Sequence, residues 1–187
     1  MSCTRLAAIL IPLVVASTGA AFAATPPSGG AASELSESLS ELHVVSQWSV
    51  VLSEMADKRA KSDLVKNYAR SIVNANPGVD AKIVAVGQKK GIGVANPDPQ
   101  SEEGKSLNER MKAESALLGS LEGDAFDKEY MTLVTNTQQS VLNLLKANKA
   151  SARDPEVKDL LGELTTTIQG RLKTAQDIMS KIYGNHI

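Results

Sequence analysis

The chain has 187 residues, 42% of them apolar and 22% charged, with a formal net charge of −1; this suits one globular domain and leaves no basic excess for a nucleic-acid surface. Aromatic residues make up only 3%, so a core must be built from Leu, Val, Ile, Met and Ala, the residues that suit helices. The single cysteine, Cys3, precedes the first apolar run, so disulfides, thiolate catalysis and cysteine-ligated metals are excluded downstream of it.

The N-terminus reads as a secretory leader over residues 1–23. Arg5 supplies the positive charge, Leu6 to Ala16 is almost wholly apolar, and Ala21-Phe22-Ala23 places small residues where a signal peptidase cleaves. Ser17, Thr18 and Gly19 cut the apolar run short of the roughly 20 residues a membrane-spanning helix requires. Cleavage near Ala23 gives an exported, periplasmic or secreted chain without a transmembrane span, and leaves 19 basic residues against 21 acidic. Residues 24–33, rich in Pro, Gly, Ser and Ala, read as a flexible tether to a helical domain over 34–183.

Ser33 offers an N-cap for a first helix to about Arg59, with Leu35, Leu39, Leu42, Val45, Ser49, Leu52 and Ala56 in one stripe. Ser62 caps a second helix reaching Lys90. Pro77 interrupts it, but Val65, Tyr68, Ala69, Ile72, Asn76, Val79, Ile83 and Val86 keep phase, so one kinked helix is expected rather than two. Gly91 and Gly93 stop that helix, and Asn96-Pro97-Asp98-Pro99 forms a rigid loop. A shorter helix follows from about Ser101 to Leu121, with Gly104 and Gly119 inside it.

Gly123 opens a further long helix to about Ala150, with Asp124 as cap and Asp127 completing a capping box. Its stripe runs Phe126, Tyr130, Val134, Thr137, Val141 and Leu144. Asp154-Pro155-Glu156 starts the last helix, whose stripe is Leu161, Leu164, Ile168, Arg171, Ala175, Ile178 and Ile182 before the stop at Gly184. Short connections after the first and fourth helices predict antiparallel hairpins, and the long middle segment predicts a crossover. The expected fold class is all-α, a ferritin-like four-helix bundle with a short extra helix in the crossover.

The segments VKNYARSIV (65–73), KKGIGV (89–94), GDAFDKEYM (123–131) and LTTTIQGRLKTA (164–175) carry a family likeness. In this order behind a leader they resemble the exported bacterial ferritin-like family known as domain of unknown function four-one-four-two. The likeness covers about Ser40 to Met179, and its most specific piece is Phe126-Asp127-x-x-Tyr130. It implies a helical bundle and an exported or membrane-associated protein, and no enzymatic activity. Phe126, Asp127 and Tyr130 read as structural, capping their helix and packing its first turns. The family pattern usually carries three histidines; at those positions this chain has Asn76, Gln138 and Arg171, and Thr166 replaces the proline of the last motif.

The remaining chemistry is sparse. A carboxylate-bridged di-metal site in a bundle requires Glu-x-x-His pairs. The only histidines, His43 and His186, follow Ser40 and Tyr183 at that spacing, so no metal ligand set and no cofactor is assigned. His43, just off its stripe, reads as a boundary side chain. Glu54, Glu114, Glu129 and Glu163 are the carboxylates a degenerate metal site would have to bring together. No nucleophile with a base beside it marks a catalytic residue. The distinctive feature is polar interruption of three apolar stripes, by Asn76, by Thr137 with Gln138, and by Arg171; Asn76, Gln138 and Arg171 are the candidate pocket residues. These form either a small ligand pocket, with Arg171 binding an anion or carboxylate, or a satisfied structural network. The expected function is a non-catalytic binding or envelope-associated module with an envelope partner or small ligand. Degenerate metal-binding, redox and small-ligand-carrier roles are the alternatives.

Overall fold

The computed structural model describes residues 30–184, with side chains from Leu35 onward. The leader, its cleavage point, the tether up to 29 and His186 lie outside the described residues. Five helices follow in order: α1 (Gly30–Arg59), α2 (Asp63–Lys89), α3 (Glu102–Gly119), α4 (Gly123–Ser151) and α5 (Pro155–Tyr183). α1 begins three positions before Ser33, inside the expected tether, and α3 ends two positions before Leu121.

The start signals act as their chemistry requires. The Ser62 side chain accepts from the Leu64 amide, Ser101 from Gly104, and Asp154 from both Glu156 and Val157. Each satisfies amides that a first turn leaves without partners. α2 runs through Pro77 as one helix. Gly91 takes the left-handed conformation (φ 65°) and ends the helical run, as its sequence position implied. Gly104, which weakens α3 by propensity, is required by packing: a Cβ there would lie 2.0 Å from the Asp98 carbonyl oxygen.

Contacts at the two ends fix the directions. Lys61, just after α1, meets Asp124 at the start of α4, and the Tyr183 hydroxyl at the end of α5 donates to the Asp124 carbonyl. At the other end Ser38 meets Asn148, and Lys89 meets Glu156. α1 and α5 therefore run one way, α2 and α4 the other, and the neighbouring pairs α1/α2, α4/α5, α1/α4 and α2/α5 are all antiparallel. The chain must regain the whole bundle length between α2 and α4. The loop at 90–101 and α3, about 27 Å of helix at 1.5 Å per residue, do this along the outside of α1. The two hairpins and long middle crossover expected from the connection lengths are thus present.

The core is divided along the axis. Near the α1–α2 turn, Leu52, Ala56, Tyr68, Ile72, Phe126 and Tyr130 pack together. Towards the other end, Leu39, Leu42, Ile83, Leu145, Leu161 and Leu164 do so. Between them lies a layer in which each long helix contributes polar groups: Ser46, Asn76, Gln138 and Arg171.

The capping box expected at the start of α4 is not formed. Glu122 is the N-cap, without a side-chain bond, and Asp124 is exposed in an ion pair with Lys61. Asp127 is fully buried and caps a different element: its carboxylate accepts the Lys61 and Ser62 backbone amides at 2.9 and 2.7 Å. The bundle brings the α1–α2 turn onto the first turn of α4, and two amides of an irregular segment are stronger claimants than amides already near helical partners. Asp127→Ala strands those amides and should cost about 3 kcal/mol, whereas Asp124→Ala should cost under about 0.5 kcal/mol, both read from urea midpoints.

Candidate functional site

The three polar residues singled out from the sequence converge. Asn76, Gln138 and Arg171, from α2, α4 and α5, line one partly open pocket of about 30 Å³ together with Ser46, Ser49 and Thr137. The Arg171 guanidinium donates to Asn76 Oδ1 at 2.6 Å, and the same carboxamide donates through Nδ2 to the Ser46 carbonyl at 3.0 Å. Asn76 thus joins α5 to α1 across its own helix. Gln138 is only 4% exposed, and its Oε1 has no hydrogen-bond partner in the protein. The buried Tyr68 hydroxyl beside it also lacks a bond of good geometry, although Gln138 lies close enough to act on its acidity.

The register of this layer differs from the heptad count. On α4 the buried positions are Gln138 and Leu145, with Thr137 and Leu144 half-buried; on α5 Leu172 is buried and Arg171 half-buried at the rim. A straight helix of 3.6 residues per turn drifts by about 20° per heptad, which turns position 138 inward and moves 171 towards the edge. Arg171 therefore keeps its stem packed while its head reaches the polar layer. Burial pushes its guanidinium downward from its ordinary pKa, and among the described residues Tyr68 is the ionisable group acting on it.

This donor set does not fit a metal ion. Guanidinium has no lone pair to offer and repels cations, and two carboxamides are weak ligands. The convergence nevertheless shows that the three places at which the resemblance expects histidine face one cavity. The carboxylates do not assemble elsewhere: Glu54 and Glu163 are exposed on α1 and α5, Glu114 on α3 accepts from the Trp48 indole at 2.6 Å, and Glu129 stands half-buried on α4. Among the described residues no three His, Asp, Glu or Cys side chains are grouped to hold a metal. A cavity of about 30 Å³ admits a water-sized occupant, whereas drug-sized ligands occupy about 300–1,000 Å³. Of the ligands expected for this pocket, its volume leaves room for a small anion.

Phe126 and Tyr130 are fully buried. The Tyr130 hydroxyl pairs with Ser53 at 2.8 Å, and Arg59 stacks over the Phe126 ring at 5.3 Å while donating to the Gly119 and Leu121 carbonyls. These contacts tie α1 to the end of the crossover.

Two features escaped sequence reasoning. His43 is 13% exposed, and its Nδ1 meets Asp80 Oδ1 at 2.6 Å while Nε2 meets Gln47 at 3.2 Å. The signal was faint, since the partner lies 37 residues away on α2. The second is an open groove of about 440 Å³ between α1 and the crossover. Val44, Val45, Pro97 and Leu107 form its apolar floor; Glu37, Glu41 and Glu103 stand at its rim with Arg110. No sequence period signals it, because the crossover crosses α1 by tertiary packing alone.

A family model described as Domain of unknown function (DUF4142) matches residues 20–178. Two solved structures share the fold. CopM in the apo form is 16% identical with a TM-score of 0.62, and CopM in the Ag-bound form is 15% identical with the same score. Each alignment covers 80% of this chain and 98% of CopM. At that identity the likeness speaks for the helical architecture. No curated protein matches the sequence significantly.

Burial raises the Tyr68 phenol from 10.0 to about 12, and raises Tyr130 as well. A phenol kept neutral by the fold contributes stability that is complete below pH 10 and is lost as pH rises through the folded value. Stability should therefore fall between pH 10 and about 12, by up to about 1.4 kcal/mol per pH unit for each phenol. In Tyr68→Phe that slope should become shallower, as measured by urea unfolding across the range.

Proposed function

For a chain that belongs to the DUF4142 family, we propose the role of an exported, non-catalytic binding protein of the bacterial envelope that takes its ligand in the groove between α1 and the crossover. The observation that carries this reading is the size and lining of the groove, about 440 Å³ against about 30 Å³ for the mid-bundle pocket. Only the former matches a ligand site in volume. Its floor suits an apolar body, and three carboxylates against one guanidinium suit a cationic head. The ligand class is a small amphiphile with a positive charge. Export is supported by Arg5, the apolar Leu6 to Ala16 run and Ala21-Phe22-Ala23. No described helix is long and apolar enough to cross a membrane.

Octylammonium should raise the thermal midpoint saturably, octanoate should not, and Leu107→Lys should abolish the response while the protein keeps its helical circular dichroism. An equal response to both amphiphiles would refute this assignment. Protein recovered outside the cytoplasm should begin at Ala24 by N-terminal sequencing.

A second reading, soft-cation binding, is favoured by His43. Asp80 orients this imidazole, leaving Nε2 with only an amide neighbour, the arrangement by which carboxylates prepare histidine for a metal. The silver-bound form of CopM lends this reading a fold-level analogy only. Silver titration by calorimetry should show His43→Gln binding at least tenfold more weakly; unchanged binding removes His43 from consideration.

A further inference from the structure

The mid-bundle layer, which adjoins the groove at Val45, holds a half-buried charge without an ion-pair partner among the described residues. Arg171 spends one hydrogen bond on a neutral carboxamide oxygen, and no described carboxylate lies within ion-pair reach of it. Removing an ion from water is costly unless an opposite charge or a full set of hydrogen bonds replaces the water. Asn76 supplies only one of the five acceptors this guanidinium can use. The space beside it is lined by two further polar side chains, Gln138 and Thr137. Gln138 is more than nine-tenths buried, its carboxamide oxygen is orphaned, and its side chain lies beside the Tyr68 hydroxyl, which also lacks a partner. The Thr137 hydroxyl lines the same cavity. The rest of the wall is mostly apolar, with Leu42, Val79, Ile83 and Val141 beside Ser46 and Ser49, whose hydroxyls are committed to the Asn76 and Val45 carbonyls.

This combination selects the sign and size of an occupant. The guanidinium and the hydroxyl donate, and a half-turn of the Gln138 carboxamide brings its NH₂ to the place of the orphaned oxygen and leaves that oxygen to accept from the orphaned Tyr68 hydroxyl beside it. Positive potential with convergent donors calls for an anion. A volume of about 30 Å³ admits one monatomic ion or a water, and is too small for sulfate, phosphate or a carboxylic acid. We propose that the cavity is a halide site, in which one chloride ion is held between the Arg171 guanidinium, the Gln138 amide and the Thr137 hydroxyl and serves as the internal counter-ion of Arg171. It would then tie α4 to α5 at the edge of the second apolar core.

The test is thermal unfolding of the purified protein at constant ionic strength, replacing sodium gluconate stepwise by sodium chloride or bromide. The midpoint should rise saturably with either halide and not with gluconate, as expected for a ligand bound only by the folded state. Arg171→Met should remove the halide dependence. Thr137→Val, at a half-buried position that preserves shape, should weaken the apparent halide affinity at least tenfold and so serves if the arginine variant fails to fold. A midpoint identical in chloride and gluconate would overturn the proposal and assign the cavity to water. A halide response undiminished in Thr137→Val would overturn it too, by placing the ion elsewhere. Neither result bears on octylammonium binding in the groove.

Discussion

A guanidinium at mid-bundle, answered by a carboxamide, is the constraint around which the four long helices are arranged. Leu, Ile and Val cores above and below can slide against one another with modest penalties, because apolar contact is not directional. The Arg171–Asn76–Ser46 chain is directional: a guanidinium N–H must meet Oδ1, and Nδ2 must meet one particular backbone carbonyl. A one-residue slip of α2 against α1 or α5 would lose both bonds and leave polar groups stranded in a low-dielectric layer. The layer therefore sets axial register where packing alone sets only proximity.

A second directional contact sets which end of each helix goes where. Asp127 holds the amides of the α1–α2 turn, so the start of α4 is bound to the turn that begins α2. That makes α2 and α4 run the same way and obliges the chain to climb the length of the bundle between them. α3 is the consequence. It lies outside α1, with two side-chain attachments through Trp48–Glu114 and Arg59 and with Gly104 pressed against Asp98, and buries little of its own surface. The groove is the space left where this strap bridges α1 without filling the gap, and so a ligand-sized site arises from topology.

Most helix starts and stops were legible in the sequence because they depend on local chemistry. Ser62, Ser101 and Asp154 need only the amides two or three residues ahead, and Gly91 needs only its own freedom to adopt positive φ. Asp127 misled for an instructive reason: its spacing from Asp124 fits a local cap, yet a buried carboxylate goes to whichever amides lack partners, and these lay 65 and 66 residues away. Likewise the heptad count placed Thr137 and Leu144 inward, while a helix at its natural pitch turns Gln138 and Leu145 there.

By itself the sequence determined an all-helical chain, its hairpins and crossover, and three polar residues out of keeping with their stripes, because periodicity, capping and connection length are short-range properties. Only the tertiary structure decided that Asn76, Gln138 and Arg171 share one cavity, that this cavity is of water size, and that His43 meets Asp80. These depend on the relative rotation and axial offset of separate helices. Rotation and offset are set by directional bonds between residues dozens of positions apart, and no local pattern in the chain records them.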